Sequence, residues 1–202
     1  SVSISSLNPG TYTVTVSDNN GSTSSIFASI SQPAAVSISA TGSPASCNWA
    51  VDGAASAIAS GGTSPHTFFW NTGGNGSAIT GLAAGNYTVT VVDNNNCTST
   101  TTAIVTEPAP LVASTQIDNN TSCNGFNDGG ATADATGGTS PYTYAWSNSA
   151  TSASIAGLPA GTYTVTVSDS NGCTNTTTAI VSEPAPLASS TQIDLAVSCN
   201  GF

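Results

Sequence analysis

The chain has 202 residues, 38% of them hydrophobic, with no Lys or Arg, ten acidic residues and a formal charge of −10. Nucleic-acid binding rests on cations that neutralise phosphates, and anionic membrane surfaces attract basic residues, so both partner classes are excluded. No apolar run is long enough to cross a bilayer as a helix. The same lack of Lys rules out Lys–Asn isopeptide crosslinks and leaves no trypsin-type site. Resistance to trypsin is expected, and rapid cleavage would contradict it.

A long period organises the chain. Cys47, Cys123 and Cys199 lie 76 residues apart, as do Cys97 and Cys173, Trp70 and Trp146, and Tyr87 and Tyr163. One step is shorter: Tyr12 to Tyr87 is 75, the missing residue falling between Val36 and Cys47. The reading is therefore two whole repeats, 36–110 and 111–186, with the C-terminal part of a repeat at 1–35 and the start of a further one at 187–202. Both ends of the chain are read as cuts inside a longer run of repeats.

In chain order, 1–35 predicts strands around Val2–Ile4, at Tyr12–Val16 and ending at Ile30 before Gln32-Pro33. The 36–110 repeat predicts strands at Val36–Ala40, Ala54–Ala59, Thr67–Trp70, Ser77–Thr80, Tyr87–Val91 and Ser99–Val105. The 111–186 repeat predicts Leu111–Ile117, Ala131–Ala135, Tyr142–Trp146, Ser152–Ile155, Tyr163–Val167 and Asn175–Val181. The GTYTVTVS stretch carries the signal most plainly, because Tyr163, Val165 and Val167 alternate with threonines in the period of a half-buried strand. Short strands separated by Gly, Pro and Asn, with no helical pattern, indicate an all-β fold: tandem immunoglobulin-like or PKD-like antiparallel β-sandwiches.

The predicted core is Trp70, Leu82, Tyr87, Val89 and Val91 in one repeat and Trp146, Leu158, Tyr163, Val165 and Val167 in the next. Alanine faces at Ala55, Ala57 and Ala59, and at Ala131, Ala133 and Ala135, leave room for the tryptophans. A tyrosine just after a glycine-containing corner is expected to bond its hydroxyl to nearby backbone. The junctions Glu107-Pro108-Ala109-Pro110 and Glu183-Pro184-Ala185-Pro186 hold two prolines and no glycine, which predicts stiff joints and a rod of repeats. Each repeat would add about 35 Å of length.

Two pairing schemes compete for the five cysteines. One closes each repeat on itself, Cys47–Cys97 and Cys123–Cys173; the other crosses junctions, Cys97–Cys123 and Cys173–Cys199. In the first fragment, Ser22 stands where Cys97 and Cys173 stand later. The junction scheme would thus leave Cys47 without a partner, and pairing within repeats is favoured. Each such bond would act as a staple worth about 4 kcal/mol. Disulfides imply an oxidising, extracellular setting. Zinc is not expected, because two cysteines per repeat without a repeated histidine cannot fill four positions.

No catalytic constellation is visible. His66 is the one histidine, Tyr142 takes its place a period later, and no nucleophile and carboxylate accompany it. The recurring acids Asp93 and Asp169, and Glu107 and Glu183, are the candidate calcium ligands. Asp-x-Asn-Gly is ordinary hairpin-turn chemistry, and that reading is preferred, so no cofactor is expected. Trp49 lies in a turn where the next repeat has Gly125, and is expected to be exposed.

GGTSPYTYAWSN (137–148), LPAGTYTVTVSDSNGC (158–173) and AIVSEPAPL (179–187) together resemble the SprB repeat family of large surface proteins in gliding and other Bacteroidota. The similarity covers essentially the whole chain, departing at Ser22, at HTFFW (66–70) and at CNWAVDG (47–53). It implies export by type IX secretion to the cell surface and service as stalk or adhesive repeats of gliding-motility adhesins; with no catalytic constellation in the sequence, no enzymatic activity is expected. The expected function is a stalk or filament segment that extends a distal binding region. The rivals are a carbohydrate- or calcium-binding repeat, a spacer in a secreted hydrolase and a fibre subunit that assembles laterally. Expected partners are neighbouring repeats, surface glycans and other filament chains.

Overall fold

The computed structural model describes residues 3–192. Every element in it is a strand. In chain order they are β1 (Gly10–Ser17), β2 (Thr23–Ile30), β3 (Ser37–Ser43), β4 (Gly53–Ser60), β5 (Thr67–Trp70), β6 (Ala78–Leu82), β7 (Gly85–Val92) and β8 (Thr98–Val105). There follow β9 (Val112–Asn119), β10 (Gly129–Thr136), β11 (Thr143–Trp146), β12 (Ser154–Leu158), β13 (Gly161–Ser168) and β14 (Thr174–Val181).

The chain divides into two units, one from Ser1–Ala45 and Val51–Thr106, the other from Ser46–Ala50 and Glu107–Phe202. In the first, β3-β4-β6 and β5-β7-β8 form two antiparallel sheets; in the second, β9-β10-β12 and β11-β13-β14 repeat that order. The β1-β2 hairpin corresponds to β7-β8 and β13-β14, down to its register: Tyr12 faces Ala28 as Tyr163 faces Ala179.

Alternation decides which face is buried. In β13 the threonines face out, while Val165 and Val167 are 0% exposed and lie on the same face of the sheet as the buried Ala179 and Val181 of β14. Ala131 and Ala133 of β10, with Ile155 and Leu158 of β12, close the other side, and Trp146 and Tyr163 complete the cluster. The first unit buries Ala55, Ala57, Trp70, Leu82, Val89, Ala103 and Val105 in one cluster, with Tyr87 half-buried against it, and Val91 is also buried. The small alanine faces leave the volume into which the tryptophan ring packs. In the hairpin, by contrast, Val14 and Val16 are 47% and 67% exposed, with no opposing sheet among the described residues.

Each tyrosine after a glycine corner ties that corner down. The hydroxyls of Tyr12, Tyr87 and Tyr163 donate to the carbonyls of Asn8, Ala83 and Pro159 at 2.7, 2.9 and 2.9 Å. The strand before the corner runs further than its sequence suggests. Instead of ending at Thr80 and Ile155, β6 and β12 reach Leu82 and Leu158, which pair with Gly53 and Gly129 after a register shift. Glycine at 81 and 157, at φ 70°, lets the backbone make that step. Near the N-terminus the expected strand is absent: Ser3 to Ser5 are not in a strand, and Val2 lies outside the described residues.

Gly137 and its counterpart Gly61 show how closely the chain packs on itself. Their φ values are 71° and 68°, and a Cβ would lie 1.9 Å from the Pro110 carbonyl oxygen and 2.2 Å from that of Ala35. Gly137→Ala is expected to cost about 2 kcal/mol or more through left-handed strain and displacement of the junction backbone. Denaturant unfolding checks this, and a cost near zero would contradict the geometry.

Candidate functional site

The recurring aspartates and their cysteines sit in the turns that follow β7 and β13. After β13, Asp169 accepts the backbone N–H groups of Asn171 and Cys173 on Oδ1, both at 2.9 Å, as short polar side chains do at tight turns. Its Oδ2 accepts the N–H of Thr139, 30 residues earlier, at 2.9 Å. Asp93 repeats this with Asn95, Cys97 and Thr63 at 2.9, 2.8 and 2.9 Å. Each aspartate therefore does more than shape a hairpin: it clamps that hairpin to the Gly-Gly-Thr-Ser-Pro turn. The sequence holds the clue, since that motif precedes the aspartate by the same interval in both repeats.

Both carboxylates are buried and both titrate below the ordinary aspartate range. For Asp93 the leading cause is the Thr63 N–H, helped by Cys97 and Asn95 against the opposing effect of burial. For Asp169 burial is the largest single effect and pushes upward, and the combined N–H groups of Thr139, Cys173, Asn171 and Gly172 outweigh it. A carboxyl group whose folded pKa is depressed stabilises the fold above its unfolded pKa of about 3.9 and loses that contribution progressively as pH falls from there through its lower folded pKa. Melting temperature is thus expected to be flat from neutral pH to about pH 5 and to fall below about pH 4. Asp169→Asn should lower stability at neutral pH, because an amide nitrogen then faces a backbone donor, and should flatten the acid limb. An unchanged acid limb in Asp93→Asn/Asp169→Asn would contradict this.

Beside the Asp169 turn sits the Ser46–Ala50 loop, which belongs to the second unit. Its bonds are specific. Asn48 Nδ2 donates to the Pro108 carbonyl at 3.4 Å, the Trp49 N–H donates to Glu107 Oε2 at 2.6 Å, and Asn171 Nδ2 donates to the Ser46 carbonyl at 2.8 Å. Cys47 is bonded to Cys173, with Cα atoms 5.8 Å apart. Trp49 projects outward at 84% exposure, its φ of 63° matching the 77° of Gly125.

This pairing corrects the sequence reading. Neither Cys47–Cys97 nor Cys123–Cys173 forms; Cys97 and Cys123 are free and exposed. The cause is the direction of the loop, since Asn48 and Trp49 bond to the junction after β8 and so deliver Cys47 to Cys173. The Cys123 loop behaves alike toward its own junction: Asn124 Nδ2 donates to the Pro184 carbonyl at 3.3 Å and the Gly125 N–H to Glu183 Oε2 at 2.9 Å. The junction scheme fails equally for Cys97–Cys123, and its other bond involves Cys199, outside the described residues. What sequence reasoning missed was why Glu107 and Glu183 recur: each receives a Ser-Cys-Asn loop.

Asp93, Asp169, Glu107 and Glu183 accept backbone N–H groups, and no group of three His, Cys, Asp or Glu residues arranged for a metal occurs among the described residues. His66 Nε2 bonds to the Gly61 carbonyl at 2.9 Å and so carries the proton there, just as the Tyr142 hydroxyl donates to Gly137 at 2.5 Å. The Trp70 and Trp146 indoles donate to the carbonyls of Gly76 and Ser152, both at 3.0 Å, with their rings in the core. Among the described residues no helix is long and apolar enough to cross a membrane.

Solved structures similar to this chain include immunoglobulin-domain proteins and a fragment of intimin. The two-domain DIP-gamma structure is 11% identical, covering 74% of this chain and 98% of that one at a TM-score of 0.36. A chain in the structure of Dpr11 IG1 bound to DIP-gamma IG+IG2 gives 11%, 73%, 98% and 0.34. The C-terminal 282-residue fragment of intimin, in complex with the intimin-binding domain of its translocated receptor, gives 18%, 85%, 57% and 0.35. At such scores the likeness carries no argument about what this chain binds. No curated protein sequence matches. Residues 115–151, spanning most of β9 through β11 and the turn that follows, match the family described as SprB repeat.

Proposed function

We propose that this chain is a structural segment of a large extracellular, cell-surface adhesin, in which tandem repeats of about 76 residues form a stiff stalk. In this reading 36–110 and 111–186 are whole repeats, 1–35 and 187–202 parts of others, and none is an enzyme. One observation carries it: β9–β14 reproduces β3–β8 strand for strand, and the proline-bearing junction residues that follow each β8-type strand hold the Ser-Cys-Asn loop of the same repeat. The SprB match and a disulfide, which favours an oxidising compartment, support the surface location. A stalk needs thin, protease-resistant, self-supporting units, and the absence of Lys and Arg suits that task.

Small-angle scattering of chains with two, three and four repeats tests the reading. The maximum dimension should grow by about 35 Å per repeat. A particle that stays compact as repeats are added would sink it. The exposed indole of Trp49 favours a second reading, in which a repeat also contacts glycans. Glycan-array binding abolished by Trp49→Ala would support that reading.

A further inference from the structure

In the second unit the Ser46–Ala50 loop occupies a groove walled by the Glu107–Leu111 junction and the Asp169–Cys173 turn. The first unit contains the counterpart groove, a cavity of about 350 Å³ with Gln32, Pro33, Val36, Asn95 and Cys97 in its lining. Every group that the seated loop uses has an equivalent there. Cys97 stands for Cys173, Asn95 for Asn171, the Pro33 carbonyl for that of Pro108, and Gln32 for Glu107, with an amide oxygen able to accept the same N–H. Asn95 is already oriented, its Nδ2 donating to Thr63 Oγ1 at 2.9 Å as Asn171 Nδ2 donates to Thr139 Oγ1 at 3.2 Å. Cys97 is a free, exposed thiol at the groove.

We infer that the Cys97 groove is a docking site for the Ser-Cys-Asn loop of another repeat of this type, which closes on it as a disulfide. The occupant is set by what fills the same groove in the second unit. The sequence Ser-Cys-Asn recurs at 46–48, 122–124 and 198–200. In the closing step the two thiols give up two protons and two electrons to a disulfide oxidant, which is reduced to two thiols, and one S–S bond forms. The Cys123 loop is the matching donor end: it carries a free, exposed thiol and is already held by Glu183 and Pro184 as the 46–50 loop is held by Glu107 and Pro108. The inference stands apart from the stalk reading, since a groove and its loop would serve any tandem protein of this kind.

The test uses the full chain with Cys199→Ser, leaving Cys97 and Cys123 as its two thiols, and a synthetic peptide of residues 121–128. The peptide cysteine is activated as a mixed disulfide with thionitrobenzoate. The attacking thiolate forms the new S–S bond, its proton goes to solvent and thionitrobenzoate leaves with the electron pair. Mass spectrometry of the labelled chain is expected to show Cys97 modified about tenfold faster than Cys123, from two or three hydrogen bonds made in the groove. A scrambled peptide should modify both thiols alike. Asn95→Ala, an exposed position whose loss leaves the core intact, should slow labelling of Cys97 about fivefold without affecting Cys123. Equal labelling of the two thiols by the loop peptide, or a preference untouched by Asn95→Ala, would overturn the inference.

Discussion

Trp146→Ala is expected to destabilise the second unit by about 3–5 kcal/mol, the range for emptying a large aromatic from a packed core. The ring is 4% exposed and shares a cluster with Ala131, Ala133, Val165 and Val181. Those neighbours cannot refill the space, because two are alanines and all sit on hydrogen-bonded strands whose register is set elsewhere. The indole N–H adds a second loss, since it satisfies the Ser152 carbonyl that would otherwise face the cavity. Trp146→Phe separates the two, retaining most of the packing and removing the bond, and should cost about 1–2 kcal/mol. Denaturant unfolding should show the loss in the transition of the second unit, and Trp70→Ala should produce the same loss in the first. A cost below about 1 kcal/mol for Trp146→Ala would mean that the ring is not the keystone of that cluster.

The fold was legible because period-2 alternation and the 76-residue repeat act locally and independently. Val165 and Val167 must share a face whatever else happens, and Thr164 and Thr166 must share the other. The tyrosine corner was legible for the same reason, its partner being four residues away. Strand ends were less so, because at Gly81 and Gly157 a positive φ continues the pairing past a residue that usually stops it. The cysteine pairing was the real loss. Within one repeat, spacing cannot tell whether Cys47 turns toward Cys97 or toward the next Asp-x-Asn-x-Cys turn. That choice is made by Asn48 and the Trp49 N–H bonding to Pro108 and Glu107, 60 and 58 residues away. The recurrence of Glu107 and Glu183 was noticed in the sequence, but a carboxylate that accepts a backbone N–H from a distant loop has no local signature.

Cys47→Ser/Cys173→Ser is expected to lower the stability of the second unit by about 2–5 kcal/mol. The bond closes a sequence separation of 126 residues, for which loop-closure entropy alone gives about 5 kcal/mol. That is an upper figure, because part of the intervening chain folds in the first unit and does not gain the freedom of an open coil. Hydrogen bonds from Asn48, Trp49 and Asn171 remain when the sulfurs are removed, so the loop should stay near its groove and the fold should survive. Reducing the native chain should reproduce the double variant. The decisive comparison is Cys97→Ser. If each repeat were closed on itself, losing Cys97 would open the Cys47 bond and destabilise the chain as much as losing Cys47. With Cys47 held by Cys173, Cys97→Ser should leave the unfolding midpoint unchanged, while Cys47→Ser and Cys173→Ser each shift it by the same amount. Equal destabilisation by Cys97→Ser and Cys47→Ser would restore the within-repeat pairing.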